Sequence, residues 1–113
     1  MDARLPAHIE VSALIRQVEA EGGFGMVIKK GEREAGTILV LLAENGQNPR
    51  LYERMPQVDG TRSWYCSKKQ DNENKEEFSS YLERRKSQDP DVWILELDIA
   101  NGERFIGLPP LNS

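Results

Sequence analysis

Few side chains in this 113-residue chain combine a type and a spacing that could do chemistry. Glu96 and Asp98 stand two apart in an apolar run, so on a strand both carboxylates project from one face. With a third acid such as Glu53 or Asp91 they could hold a divalent cation for metal-assisted hydrolysis. The weightier reading makes them the outward charges of an amphipathic strand, because unpaired carboxylates are seldom buried. His8 could serve as a general base, but no Ser or Cys nucleophile motif accompanies it. Cys66 precedes Lys68 and Lys69, which could lower a thiol pKa. A half-buried structural thiol is the simpler reading, since free Cys is among the most buried residue types. Gly22-Gly23-Phe24-Gly25 has the glycines of a phosphate loop, yet it follows a helix and precedes a strand. A phosphate cradle needs the opposite order, with its amides at a helix N-terminus.

The best candidate site is a cationic patch flanked by an aromatic ring: Lys29, Lys30, Arg50, Arg54, Arg62 and Trp64, drawn from strands and turns expected to be neighbours. It could receive an anionic ligand or a nucleic-acid strand. Glu32, Glu34 and Glu53 are interspersed with these cations, and charges on sheet edges commonly block unwanted pairing. Nineteen acidic residues against fifteen basic ones give a net charge of -4, with both signs spread along the chain. Nucleic acid is therefore disfavoured as a partner, because its binding draws mostly on Lys and Arg neutralising phosphates. One cysteine excludes an intrachain disulfide and a Cys-rich zinc site, and fits a reducing compartment. Neither a secretory signal nor a membrane span is apparent, so the expected location is the cytoplasm. No catalytic, metal or cofactor-binding residue is assigned and no cofactor is implied. The expected function is a small binding or interaction protein without catalysis. The alternatives are a metal-assisted hydrolase or nuclease using the acids of the last strong strand, and a nucleic-acid accessory protein.

These side chains must be positioned by a small α+β domain. Val11, Leu14, Ile15 and Val18 form one helical stripe within His8 to Glu21, and Gly22-Gly23 ends that helix. Phe24 to Lys29 and Gly36 to Ala43 read as strands joined by a turn at Gly31, and an antiparallel pair is expected. In the second, Ile38, Val40 and Leu42 alternate with Leu39 and Leu41, so both faces are apolar. Such a strand belongs at the centre of a sheet, covered by helices on both sides or by one helix and a second copy. That need motivates a homodimer. Arg50 to Met55 is a third strand, with Leu51 and Met55 inward and Tyr52 and Arg54 opposite, and an Asp59-Gly60 turn leads to a fourth around Trp64-Tyr65-Cys66. Ser67 to Asn74 is read as an exposed loop. Asn74 and Glu77 form a capping pair for a second helix, whose Phe78, Tyr81, Leu82 and Arg85 share one side. Val92 to Ile99 is the last strong strand, with Trp93, Leu95, Leu97 and Ile99 on its core face. Asn101-Gly102 predicts a hairpin to a short strand through Arg104, Phe105 and Ile106. The element order is thus α-β-β-β-β-α-β-β, one mainly antiparallel sheet with two helices. It forms a single domain over 1–113 with short flexible ends near 1–5 and 109–113.

Taken together, Arg4-Leu5-Pro6, Val11-Ser12-Ala13-Leu14-Ile15-Arg16, Gly22-Gly23-Phe24, Lys30-Gly31, Ala35-Gly36-Thr37-Ile38-Leu39-Val40, Leu51-Tyr52-Glu53 and Asp89-Pro90-Asp91-Val92-Trp93 carry a resemblance. The chain resembles the DUF1491-like proteins, a family of short alphaproteobacterial chains with a domain of unknown function. The resemblance spans nearly the whole chain and is thinnest from Gln57 to Asn74. It implies a bacterial cytoplasmic origin and a stand-alone domain, and transfers no activity, cofactor or catalytic residue.

The core face of Val92 to Ile99 carries a direct test. Leu95→Ala or Leu97→Ala should cost about 2–5 kcal/mol in urea unfolding, the range for truncating a packed leucine; a loss within experimental error would place that face outside the core.

Overall fold

The stripe of Val11, Leu14 and Val18 is buried against a sheet, and the segment carrying it forms α1, Ala7–Ala20, in the computed structural model of the chain. The structure describes residues 5–56, 58, 62–71 and 73–109. The Asp59-Gly60 turn, the Met55 side chain and the chain ends at 1–4 and 110–113 lie outside them. Helix α1 stops where Gly22 enters the left-handed region at φ 88°, and the Gly23 amide donates back to the Val18 carbonyl at 3.0 Å.

Among the described residues five strands follow: β1 (Phe24–Lys29), β2 (Ile38–Glu44), β3 (Gln47–Pro56), β4 (Arg62–Lys69) and β5 (Trp93–Asp98), with helix α2 (Lys75–Gln88) between the last two. They make one sheet in the order β1-β5-β2-β3-β4. All neighbours are antiparallel except β2 and β5, which run parallel. The α+β class, the mainly antiparallel sheet and the central place of β2 agree with the sequence reading. Ile38, Val40 and Leu42 pack in the cluster that includes α1, and Leu39 and Leu41 in the cluster that includes Phe78 of α2. The cover that β2 requires therefore comes from two helices of the same chain.

The pairing differs from the antiparallel pair expected of the first two strands. β1 does not pair with β2; β5 lies between them, with Val40 opposite Leu95 on one side and Val27 opposite Leu95 on the other. The physical reason is that β5 also buries apolar side chains on both faces: Ile94 on one and Leu95 and Leu97 on the other have no exposed surface. This insertion also removes the expected terminal hairpin. A strand through Arg104, Phe105 and Ile106 would need a free edge on β5, and both its edges are taken. The chain instead turns left-handed at Asn101 and forms a 3-10 turn, Gly102–Ile106. Two smaller corrections concern the link to α2. Ser67 to Lys69 extends β4 rather than forming loop. Asn74 does not cap α2: its side chain accepts from the Asp71 amide and donates to the Lys69 carbonyl, pinning the connection.

Glu103 explains why the 3-10 turn settles over β3. Its carboxylate, 2% exposed, accepts from Arg50 Nε at 2.7 Å, Arg50 Nη2 at 2.9 Å and the Tyr52 hydroxyl at 2.8 Å. Burial alone would raise the Glu103 pKa, but the hydrogen bonds from Arg50 and Tyr52 outweigh it and hold the group below the ordinary carboxylate value. The bond to Glu103 raises Arg50 in turn, against burial, and burial together with that carboxylate pushes Tyr52 up. On the other face Glu53, also buried, accepts from the Tyr81 hydroxyl at 2.6 Å and Arg85 at 3.1 Å, which fastens α2 to β3.

The link from β1 to β2 crosses the end of the sheet and seats the N-terminus of α1. Amides of Ala7 and His8 donate to the carbonyls of Glu34 and Arg33, at 2.9 and 3.0 Å. Gly31 allows the link to press on β5, for a Cβ there would stand 2.7 Å from the Trp93 nitrogen and closer still to the Asp91 carbonyl oxygen. Gly31→Ala should therefore cost about 1–3 kcal/mol, read as a lowered urea midpoint, because main chain cannot yield as a side-chain end would. Glu103→Gln should cost about 3–5 kcal/mol near neutral pH by removing the buried counter-charge of Arg50, which keeps only the more exposed Glu44 carboxylate. A carboxyl whose folded pKa is depressed contributes stability that is complete above its unfolded value, about 4.3 for Glu, and lost as pH falls through the folded value. The gap between wild type and Glu103→Gln should accordingly shrink in unfolding curves taken at progressively lower pH; a constant gap would contradict the buried pair.

Candidate functional site

Helix α1 and β1 do not close completely at the end where the β1–β2 link passes under the helix, and a cleft of about 430 Å³ remains. Its floor is Val11 and Ile15 from α1, Val27 from β1 and Trp93 from β5. Trp93 is held by its indole Nε1–H, which donates to the Glu32 carbonyl at 2.6 Å, and by its amide, which donates to Thr37. The rim is polar: His8, Ser12, Lys30 and Arg33.

The cations of this rim differ from the others around the molecule. Lys29 is consumed by structure, its ammonium donating to the carbonyls of Pro90 at 2.9 Å and Val92 at 3.0 Å. Lys30 and Arg33 are exposed, and among the described residues neither side chain has an ion-pair or hydrogen-bond partner. Glu32, between them, turns its carboxylate into its own bend, accepting from the amides of Glu34 and Ala35. His8 Nδ1 lies 3.0 Å from the Arg33 carbonyl, an acceptor only, so Nδ1 carries a proton. Among the described residues the imidazole has the Glu34 carboxylate beside it, at 3.7 Å.

The six residues of the expected patch do not form one surface. Arg50 is 5% exposed and committed to Glu103, with Glu44 at 3.3 Å. Arg54 makes a two-pronged pair with Glu10, at 2.6 and 3.0 Å, and lies over the Trp64 ring at 4.7 Å. Arg54 and Arg62 line a smaller cleft of about 260 Å³ on the β3 side of α1, together with Glu10 and Glu34, so its charges are of both signs. Lys30 stands on the β1 side, and β5 and β2 both lie between β1 and β3. Of the six, Lys30 alone lines the α1–β1 cleft, which is also lined by Arg33, a residue that the sequence reading did not single out. The missed signal is that Lys30 and Arg33 flank Gly31-Glu32, a bend that sets two cations on one rim; Ile15, Val27 and Trp93 read from sequence as core.

The acidic candidates are dispersed as well. Asp98 accepts from the amides of Asn45 at 2.6 Å and Gly46 at 2.9 Å, which stabilises the β2–β3 turn. Glu53 is tied to α2, and Asp91 precedes the opposite end of β5 from Asp98. Among the described residues no three His, Cys, Asp or Glu side chains cluster to hold a metal ion. Cys66 packs on the α1 side of the sheet and burial raises its thiol pKa; Lys68 is directed to Glu77 and the Tyr81 ring instead. Gly22 and Gly23 serve as the cap and exit of α1.

Comparisons with known proteins place this fold. The family described as "Protein of unknown function (DUF1491)" matches residues 5–107. A crystal structure of a DUF1491 family protein from Caulobacter crescentus CB15 is 33% identical, with a TM-score of 0.80 over 94% of this chain and 98% of that one. The solution structure of protein Atu0922 from A. tumefaciens is 30% identical, with a TM-score of 0.76 over 97% and 98%. No curated protein matches the chain. Among the described residues no helix is long and apolar enough to cross a membrane. The family match over nearly the whole length, joined to the shared fold, establishes that this chain belongs to the DUF1491 family.

Proposed function

We propose that the protein is a small cytoplasmic binding protein without catalysis, and that its binding site is the cleft between α1 and β1. The observation that carries this reading is the combination of an apolar floor, Val11, Ile15, Val27 and Trp93, with rim cations that the fold itself does not use. Ligand sites typically have that composition, largely apolar with a few convergent polar groups, and volumes in this range. The best-placed acids and Arg50 and Arg54 are all spent on holding elements together, so they support a framework role rather than a reaction. The single free thiol supports a reducing compartment.

A neutral apolar dye, N-phenyl-1-naphthylamine, tests the cleft without prejudging the charge of a ligand. Its fluorescence should rise saturably with one site per chain, and Ser12→Trp, which fills the mouth from an exposed helix position, should abolish the rise while leaving the circular dichroism spectrum unchanged. A dye response that does not saturate, or one identical in Ser12→Trp, would refute the assignment.

A further inference from the structure

We infer that the ligand of this cleft is an amphipathic monocarboxylate: an apolar body of roughly medium alkyl-chain size resting on Ile15, Val27 and Trp93, with its carboxylate held by Lys30 and Arg33. The inference rests on the binding-site reading above and adds the chemical class. Charge complementarity sets the sign of the ligand. Among the described residues no acid lines the cleft; the cations Lys30 and Arg33 stand on its rim, Glu32 between them is bound into its own bend, and the Glu34 carboxylate lies 3.7 Å from the His8 imidazole, outside the lining. A guanidinium fork matches the two oxygens of a carboxylate, and a neighbouring ammonium adds a point charge.

The backbone argues against a phosphate in the same place. Phosphate sites usually draw on main-chain amides at a helix N-terminus, and α1 has none to offer here. Ala7 and His8 donate to Glu34 and Arg33, and Ile9 and Glu10 both donate to the Pro6 carbonyl. Two side chains on an open rim suit a singly charged head. The floor sets the other half of the ligand: its branched aliphatic side chains and indole present no free donor, because the Trp93 N–H is already bound to Glu32. A chain or ring therefore fits there better than a polar body.

Octanoate, octan-1-ol and octyl phosphate provide the test, each titrated below its micelle-forming concentration into the ¹⁵N-labelled full chain. Octanoate should shift the Trp93 indole resonance and the amides of Ile15, Val27 and Lys30, with an affinity more than tenfold above that of octan-1-ol and above that of octyl phosphate. Lys30→Gln combined with Arg33→Gln, both at exposed positions, should remove that advantage while N-phenyl-1-naphthylamine still binds. Equal binding of octanol and octanoate, tighter binding of octyl phosphate, or an octanoate affinity unchanged in the double variant would overturn the carboxylate assignment. If the dye occupies the cleft and octanoate does not, the ligand class fails and the binding-site reading stands; if neither binds, both fail.

Discussion

The structure depends on shielding β2 and β5 on every side. Each carries apolar residues on both faces, so each needs a helix above, a helix below and a strand along both edges. The parallel β2–β5 pair meets this need for both at once, since each strand supplies one of the other's edges. β1 and β3 complete the remaining edges, and α1 and α2 cover opposite faces. Three consequences follow from this pair: β1 is separated from β2, the chain after β5 turns away from the sheet, and the long link from β1 to β2 crosses the sheet end.

That last consequence makes the cleft. The link passes beneath the N-terminus of α1, holds it through main-chain bonds from Ala7 and His8, and lies against the backbone of Asp91 to Trp93 through Gly31. Trp93 is thereby fixed at the end of an interior strand with its polar edge satisfied and part of its ring in the floor. The link's cations are left at the rim. A rigid apolar floor and an open charged rim thus arise from one topological event, the insertion of β5, while the buried polar groups, Glu103 with Arg50 and Glu53 with Tyr81, hold the far parts of the sheet to the 3-10 turn and to α2.

Much of the architecture was legible in the chain because its signals are local and periodic. Val11, Leu14 and Val18 announce α1 by spacing, and the unbroken run Ile38 to Leu42 announces a strand with two covered faces. Strand order was not legible. Three apolar strands can be exchanged between edges without changing any local pattern, and only the competition for burial decides that β5 sits beside β2. The Asn101-Gly102 hairpin signal is sound local chemistry that had no edge to pair with, and the buried carboxylate of Glu103 gave the segment another place to go. Of the site, Lys30 was visible as a cation and Arg33 was not singled out, since their freedom depends on which acids the fold consumes elsewhere. Arg50 and Arg54 looked equally available in sequence, and Glu103 and Glu10, distant along the chain, took them.

The most direct test is native-state amide hydrogen exchange. If β2 and β5 form the doubly shielded centre, amides of Leu39 to Leu42 and of Ile94 to Leu97 should exchange together and slowest, only through global unfolding, while Lys30 to Gly36 exchange through local opening. Exchange of the β5 amides at the rate of an edge strand would contradict the insertion and, with it, the cleft built on Trp93.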